Sequence, residues 1–418
     1  MEQQQKLVKD IVSHSDALSK YSDPTDGLGY AKGWEEHRLK LLDALDELRA
    51  VVLGPTSYLF YTAMLAPSWS ATFNVLYRYR IATHIPRDEP ISYGRLAELC
   101  GLSEPDTTRI VRAAISMRVF EERPVGFVRH NTISLALTSP LAQDAIGFAT
   151  EEYAPAALHY ADSLERFPGS DKADESPCAI LNGSVGDRDI FSLIADDSKR
   201  VSRVANAMSW VLTVPETSLH HFLDLVPWSR PDSPKPCPKL VVDIGGSRGG
   251  LAEALLRRYP SIEKVIVEDL PEVTKMNKER GPPSDPDIAN RISYQEYDFF
   301  TEQVVKDADV YIFRTVIHDW PDSYATRILR NQLPALKPGA VILISDICID
   351  PENWKASFIT QAQSAHDIMV KMALNARERT KEDWERLVRD VDPGLEIKSI
   401  SSTALSAHGI IEIVKNEK

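Results

Sequence analysis

Cysteine is scarce here, at four residues in 418, and Cys100, Cys178, Cys237 and Cys348 stand far apart with no pair at metal-ligand spacing. That excludes a disulfide scaffold and a zinc finger, and fits free thiols in a reducing, cytoplasmic compartment. An excess of positive charge is missing too. Lys and Arg number 48 against 61 Asp and Glu, a formal net charge of -13, which opposes broad binding to nucleic acid or to an anionic membrane. Long apolar runs are also lacking. Residues 51–77 carry no charge, yet Gly54, Pro55, Pro67 and six Ser or Thr break them up, so they read as buried helices rather than a membrane span. The opening Met-Glu-Gln-Gln-Gln-Lys has no signal-peptide core. There is no internal repeat and no long low-complexity tract.

What remains is a chain of 418 residues with 43% hydrophobic content, ordinary for a globular protein and long enough for two or three domains. Residues 1–85 read as helices. Trp34 to Val52 is amphipathic, with Leu39, Leu42, Leu45 and Leu48 on one face. Residues 91–137 read as a winged helix: a first helix from Ile91, a glycine turn, a second helix from Asp106 to Met117, and a hairpin from Val119 to Leu135. Six Arg face five acids over 91–135, so there is no basic footprint and a structural role is favoured over DNA binding. Residues 150–224 read as mostly helical, with Phe191 to Phe222 the longest stretch. The prolines of 227–238 mark a linker.

From Lys239 onward, apolar strands at 239–244, 264–268, 308–313 and 340–345, with a weaker one near 291–297, alternate with helices. This predicts a parallel α/β sheet covered on both faces. Leu395 to Ser401 and Ile410 to Lys415 predict an antiparallel hairpin at its edge. The expected organisation is therefore 1–150 helical and winged-helix, 151–236 helical connection, and 237–418 sheet domain.

The densest signal is Lys-Leu-Val-Val-Asp-Ile-Gly-Gly-Ser-Arg-Gly-Gly at 239–250. It reads as a buried strand, a glycine turn and a helix start, a backbone cradle for a nucleotide-like cofactor. Ligands of such sheets bind beyond the carboxyl ends of the strands. Those ends carry Asp243, Gly245 and Gly246; Glu268, Asp269 and Leu270; Asp298 and Phe299; and Arg314, His318 and Asp319. An acid at the second strand end suits ribose hydroxyls. A carboxylate beside aromatic residues suits an adenine amino group. The paired His220 and His221 adjoin on a helix and are expected to point apart, so no metal is expected. His408 is expected to face solvent.

Asp-Ile-Gly-Gly-Ser-Arg-Gly-Gly, Glu-Asp-Leu-Pro-Glu-Val, Tyr-Asp-Phe-Phe, Ile-His-Asp-Trp-Pro-Asp and Arg-Glu-Arg-Thr occur in that order. This set resembles the S-adenosylmethionine-dependent O-methyltransferases of caffeate type and their fungal natural-product relatives, specifically over 239–415 and more loosely over 30–225. The resemblance implies a class I methyltransferase sheet preceded by a helical, winged-helix dimerisation domain. It implies that Gly245, Gly246 and Ser247 hold the methionine moiety of S-adenosylmethionine beside Asp243. Asp269 with Leu270 would take the ribose, Asp298 and Phe299 the adenine, and Arg314 the amino-acid end. His318 becomes the general base, flanked by Glu378 and by Asp346, where plant members have a second Glu. Met208, Trp210, His366 and Met369 fall by analogy at the acceptor pocket. A homodimer is implied.

Three activities follow. The first is methyl transfer to a hydroxyl of an aromatic or polyketide-like small molecule. The second is a pericyclase or dehydratase that binds the cofactor without transferring its methyl group, since fold does not fix chemistry. The third is a cofactor-sensing DNA-binding regulator, which the acidic balance opposes.

Overall fold

A computed structural model describes residues 2–21, 25, 30–229 and 235–416. Of the linker expected over 227–238, residues 230–234 lie outside the described residues. The chain forms two compact units, each assembled from separate parts of the sequence. One comprises Met1–Leu48, His159–Asp196 and Leu212–Lys418; the other comprises Arg49–Leu158 and Asp197–Val211.

The elements that matter below are helices α1 (Lys32–Arg78), α2 (Ser198–Val211), α3 (Leu219–Leu225), α4 (Gly250–Arg258), α5 (Asp322–Arg330), α6 (Phe358–Leu374) and α7 (Lys381–Val391). The sheet strands are β1 (Leu240–Ile244), β2 (Lys264–Asp269), β3 (Ile292–Glu296), β4 (Val310–Arg314), β5 (Val341–Ser345), β6 (Leu395–Ser401) and β7 (Ile410–Lys415). They form one seven-stranded sheet in the order β6-β7-β5-β4-β1-β2-β3. The first five strands run parallel, and β7 and β6 complete the edge antiparallel. This is the mostly parallel sheet with an edge hairpin that the apolar pattern predicts.

Burial explains the pattern. Val241, Val265, Val310, Ile312 and Leu343 are buried, and α4 packs Leu251, Ala252, Leu255 and Leu256 into the same core. Each such side chain contributes about 1.5–3 kcal/mol relative to exposure. A parallel sheet also needs cover on both faces, so its strands read as unbroken apolar runs.

In the other unit, Ser92 and Ser103 cap the helices Tyr93–Cys100 and Glu104–Ser116 through their side-chain oxygens. Two expectations are corrected. The first helix begins at Tyr93 rather than Ile91; Ile91 and Ser92 add a short strand to the hairpin formed by Phe120–Glu122 and Phe127–His130. Residues 51–77 are helical but buried only towards their end: Val52, Leu59, Phe60 and Met64 are 64%, 69%, 58% and 57% exposed, while Thr72 and Leu76 are buried. Lack of charge does not imply burial within one chain. Gly54, with φ 68° and ψ 167°, interrupts α1 just before Pro55. The 191–222 stretch is likewise broken, with α2 ending at Val211 and a short 3-10 turn at Pro215–Thr217. Among the described residues no helix is long and apolar enough to cross a membrane.

Candidate active site

The strand order reverses between β1 and β4, the place where open α/β sheets bind ligands. Five parallel strands there end on one rim, as their register shows: Ile244 lies opposite Glu268 and Phe313, Asp269 opposite Glu296, and Arg314 opposite Ser345. The polar strand ends grouped on sequence grounds are therefore neighbours.

The glycine turn is tight for identifiable reasons. The Gly245 and Gly246 N–H groups both donate to the Glu268 carbonyl, at 2.8 and 3.2 Å. A Cβ on Gly246 would lie 2.6 Å from Asp243 Oδ2 and 2.8 Å from Val267. Ser247 holds φ 50°, a left-handed conformation that favours glycine. Its amide donates to Asp269 Oδ2 at 2.8 Å, and its carbonyl accepts from Asn277 Nδ2 at 2.8 Å, so both sides of the turn are tied down. Asp269 Oδ1 takes the Leu270 amide at 2.8 Å. Burial pushes the Asp269 carboxyl up to about 6, with the two N–H donors opposing.

Behind the turn, Asp243 is fully buried and its Oδ2 has no hydrogen-bond partner among the described residues. Burial pushes this carboxyl up to about 7, against the pull of Arg314. Arg314 donates from Nη2 to the Thr217 carbonyl at 2.7 Å, and its Nε is unpartnered. Burial lowers its pKa to about 10, so it stays charged at neutral pH. Asp298 is exposed and accepts the Phe300 amide at 2.9 Å. Phe299 stands edge-on to Trp320 at 5.9 Å. A backbone cradle too tight for a Cβ, a buried acid and an arginine each with one atom unpartnered among the described residues, and acids at two further strand ends suit a nucleoside carrying a charged amino-acid tail. The residues fit the cofactor implied by the motifs.

His318 lies in the short 3-10 turn Ile317–Asp319 after β4 and is buried. Its Nδ1 is 2.7 Å from Glu378 Oε1, while Nε2 is 3.8 Å from Asp319 Oδ1. Asp346, at the end of β5, accepts the His318 backbone amide at 2.9 Å rather than pairing with the ring. Glu378 is itself steadied, since its backbone amide donates to Asp367 Oδ1 at 2.8 Å. Burial pushes the His318 imidazole down, but Glu378, Asp346 and Asp319 outweigh it and the pKa rises to about 10. A raised folded-state pKa stabilises the fold fully below the unfolded value of about 6.5, and that contribution is lost as pH climbs through the folded value. The melting temperature should therefore fall between pH 7 and 10 more steeply in the wild type than in His318→Gln. Parallel curves in a differential scanning series would refute the charged pairing.

The pocket-lining expectations divide between the units. His366 and Met369 are half-buried on α6, and the His366 Nδ1–H donates to the Ala362 carbonyl at 2.9 Å. Met208 and Trp210 lie on α2 in the other unit, the first 37% exposed and the second half-buried.

Three further groups take places the sequence did not give them. Asp319, grouped with His318 at the strand ends but given no role there, is one of the acids that raise the His318 pKa. His408 is not solvent-facing but buried, lining a small pocket with Arg314, Ser218 and Ser345. The β6–β7 connection folds inward, and the Gly409 amide donates to the Asp346 carbonyl at 2.9 Å. His220 and His221 do not point apart. Their rings lie 3.8 Å from one another and each Nε2 is 3.2 Å from an oxygen of buried Glu35. His221 Nε2 also lies 3.0 Å from the Pro215 carbonyl, which can only accept, so that nitrogen carries a proton and the cluster is hydrogen-bonded.

A family model for an O-methyltransferase domain matches residues 181–391. The O-methyltransferase kk1A of Curvularia clavata is 31% identical over 89% of this chain and 85% of its own length. The chain belongs to the O-methyltransferase family. The grayanic acid biosynthesis cluster O-methyltransferase of Cladonia grayi is 32% identical to this methyltransferase over 95% of the chain and 83% of its own length. Among solved structures, OxaC superposes with a TM-score of 0.80 at 23% identity, covering 99% of both chains. A protein described as a pericyclic reaction enzyme superposes at 0.77 with 23% identity, over 98% of this methyltransferase and 100% of itself. At that identity the two structures speak for the fold alone.

Proposed function

We propose that this enzyme methylates a hydroxyl of an aromatic or polyketide-like small molecule, with His318 as general base. The observation that carries the reading is the buried imidazole of His318, tied at Nδ1 to Glu378 at 2.7 Å and leaving Nε2 for the acceptor. S-adenosylmethionine is the cofactor; when bound it supplies an electrophilic methyl group on a sulfonium. The remaining work belongs to the chain. A phenol has a pKa of about 10 and is a weak nucleophile at neutral pH. Nε2 takes the hydroxyl proton as the oxygen–carbon bond forms and the carbon–sulfur bond breaks. Glu378 steadies the resulting imidazolium. No metal is needed for this balance.

The acidic surroundings of His318 set a pH condition. The imidazole is a base only when neutral, and Glu378, Asp346 and Asp319 hold its proton on up to about pH 10. A cationic sulfonium in the same cleft weakens that hold. Turnover should rise with pH from 6 through 9, and the midpoint should lie below that of the cofactor-free protein. A rate that falls over this range would refute the base.

Asp243, Gly245, Gly246, Ser247 and Arg314 are assigned to the amino-acid end of the cofactor, Asp269 and Leu270 to the ribose, and Asp298 and Phe299 to the adenine. His366 and Met369 are assigned to the acceptor. We retain 1–150, 151–236 and 237–418 as functional segments, and a reducing cytoplasm as the site of action. A second copy of the chain is the proposed partner. The exposed Leu59, Phe60 and Met64 on α1 support this, because monomers rarely leave such a patch open. Light scattering should give twice 46.8 kDa, and Leu59→Glu with Phe60→Glu should give the single mass. A wild-type monomer at micromolar concentration would end the dimer proposal.

A second reading is a catalyst that binds the cofactor without transferring its methyl group. The imidazolium character of His318 favours it, because a cation donates a hydrogen bond instead of accepting a proton. The deciding experiment feeds phenols and polyketides to the enzyme and follows product mass with S-adenosylhomocysteine. A gain of one methylene unit with equal S-adenosylhomocysteine establishes methyl transfer. A product of unchanged or water-depleted mass, with cofactor required but not consumed, establishes the second reading.

A further inference from the structure

The turn that carries His318 and the segment that carries Glu378 are joined by more than their own hydrogen bond. Arg379, next to Glu378, has no exposed surface. Its Nε donates to Asp322 Oδ1 at 2.8 Å, its Nη1 to the Ile317 carbonyl at 3.2 Å and its Nη2 to the Trp320 carbonyl at 2.7 Å. Ile317 and Trp320 bracket His318 and Asp319, so the guanidinium grips the turn at both ends. The face of the Trp384 ring on α7 lies 5.1 Å from the guanidinium carbon. Asp322, the first residue of α5, also takes Arg377 at 2.8 Å through Oδ2. It therefore stands between the two arginines that flank Glu378. The two motifs interlock with opposite charges: His318 and Asp322 on one side meet Glu378 and the arginine pair on the other.

We propose that Arg379, seated by Asp322, is a positioning residue that fixes His318 and Glu378 in register. A fully buried guanidinium is costly unless its donors are used, and here the fork spans one carboxylate and two carbonyls. Those carbonyls belong to the first residue of a 3-10 turn and to the residue that follows the turn, whose short length gives it little rigidity of its own. Without the grip, the turn and the Glu378 segment, 60 residues apart in sequence, are tied mainly through the pair they are meant to align. The inference rests on His318 being the base, but its primary readout does not.

The test uses the full chain with S-adenosylhomocysteine bound and its histidines labelled with nitrogen-15. His318→Gln assigns the downfield Nδ1–H resonance of the His318–Glu378 hydrogen bond. Arg379→Lys keeps the charge but not the fork, and Asp322→Asn removes the seat from a partly exposed position. Both variants should lose that resonance and lower the His318 titration midpoint by about one pH unit or more. S-adenosylhomocysteine affinity should stay within about twofold. On any phenol that turns over, kcat should fall roughly 10- to 100-fold with KM little changed, the cost of a small misplacement. An unchanged resonance and midpoint in Asp322→Asn would overturn the proposal, and that variant decides alone if Arg379→Lys does not fold. Full turnover by His318→Gln would instead refute the base assignment while the resonance still judges the positioning.

Discussion

Replacement of His318 by Gln should cut S-adenosylhomocysteine release by about 10²- to 10⁴-fold, the range that positioned proton transfer contributes. Gln matches the imidazole in reach and polarity, and it can still donate to Glu378, so the Glu378 carboxylate is not left without a partner. What it cannot do is take a proton at neutral pH. The residues assigned to the cofactor turn and the ribose, Gly245–Ser247 and Asp269, lie on other strand ends and are untouched by the change. Binding of S-adenosylhomocysteine, measured by calorimetry, should therefore stay within about twofold. Equal loss of binding and turnover would show that the substitution disturbs the fold, and full turnover would remove His318 from the chemistry. Glu378→Gln should fall between the wild type and this variant, because it keeps the hydrogen bond and removes only the charge.

Asp269→Asn should weaken cofactor binding by about 10- to 150-fold, the equivalent of the 1.5–3 kcal/mol that a hydrogen bond to a charged group is worth. The carboxylate does two jobs in this structure. Its Oδ2 holds the Ser247 amide at 2.8 Å and so fixes a left-handed residue in the glycine turn. Its Oδ1 accepts the Leu270 amide at 2.8 Å. An amide side chain turns one of these acceptors into a donor facing an N–H group. The turn loosens while the group assigned to the ribose loses its charge. The loss should appear in the dissociation constant of S-adenosylhomocysteine and leave kcat at saturating cofactor within about threefold. A large fall in kcat with unchanged binding would place Asp269 in the chemistry and reassign the ribose contact.

Much of the sheet domain was legible because its signals are local. Strands buried on both faces need unbroken apolar runs, so β1, β2, β4 and β5 announce themselves. A cradle that brings backbone close to a ligand needs glycine, and the Gly246 position has no room for a Cβ. The edge hairpin came out within its predicted limits. The helical half was less legible. An uncharged run such as 51–77 has the composition of a core and also of an interface, and periodicity does not separate the two. His408 follows a run of Ser, Thr and Ala that reads as an exposed turn, and only the inward fold of the β6–β7 connection buries it.

Alone, the sequence determined the parallel sheet and the glycine turn, because each depends on residue type at short range; the pairing of His318 with Glu378, 60 residues apart, was implied only by the family resemblance. Tertiary structure decided which atoms meet. It sent Asp346 to the His318 backbone amide rather than its ring, turned His220 and His221 together onto Glu35, and drove the Arg379 fork around the His318 turn. Those contacts join residues from 28 apart (His318 and Asp346) to 186 apart (Glu35 and His221). Their geometry depends on how helices and strands pack in space, and no spacing along the chain encodes it.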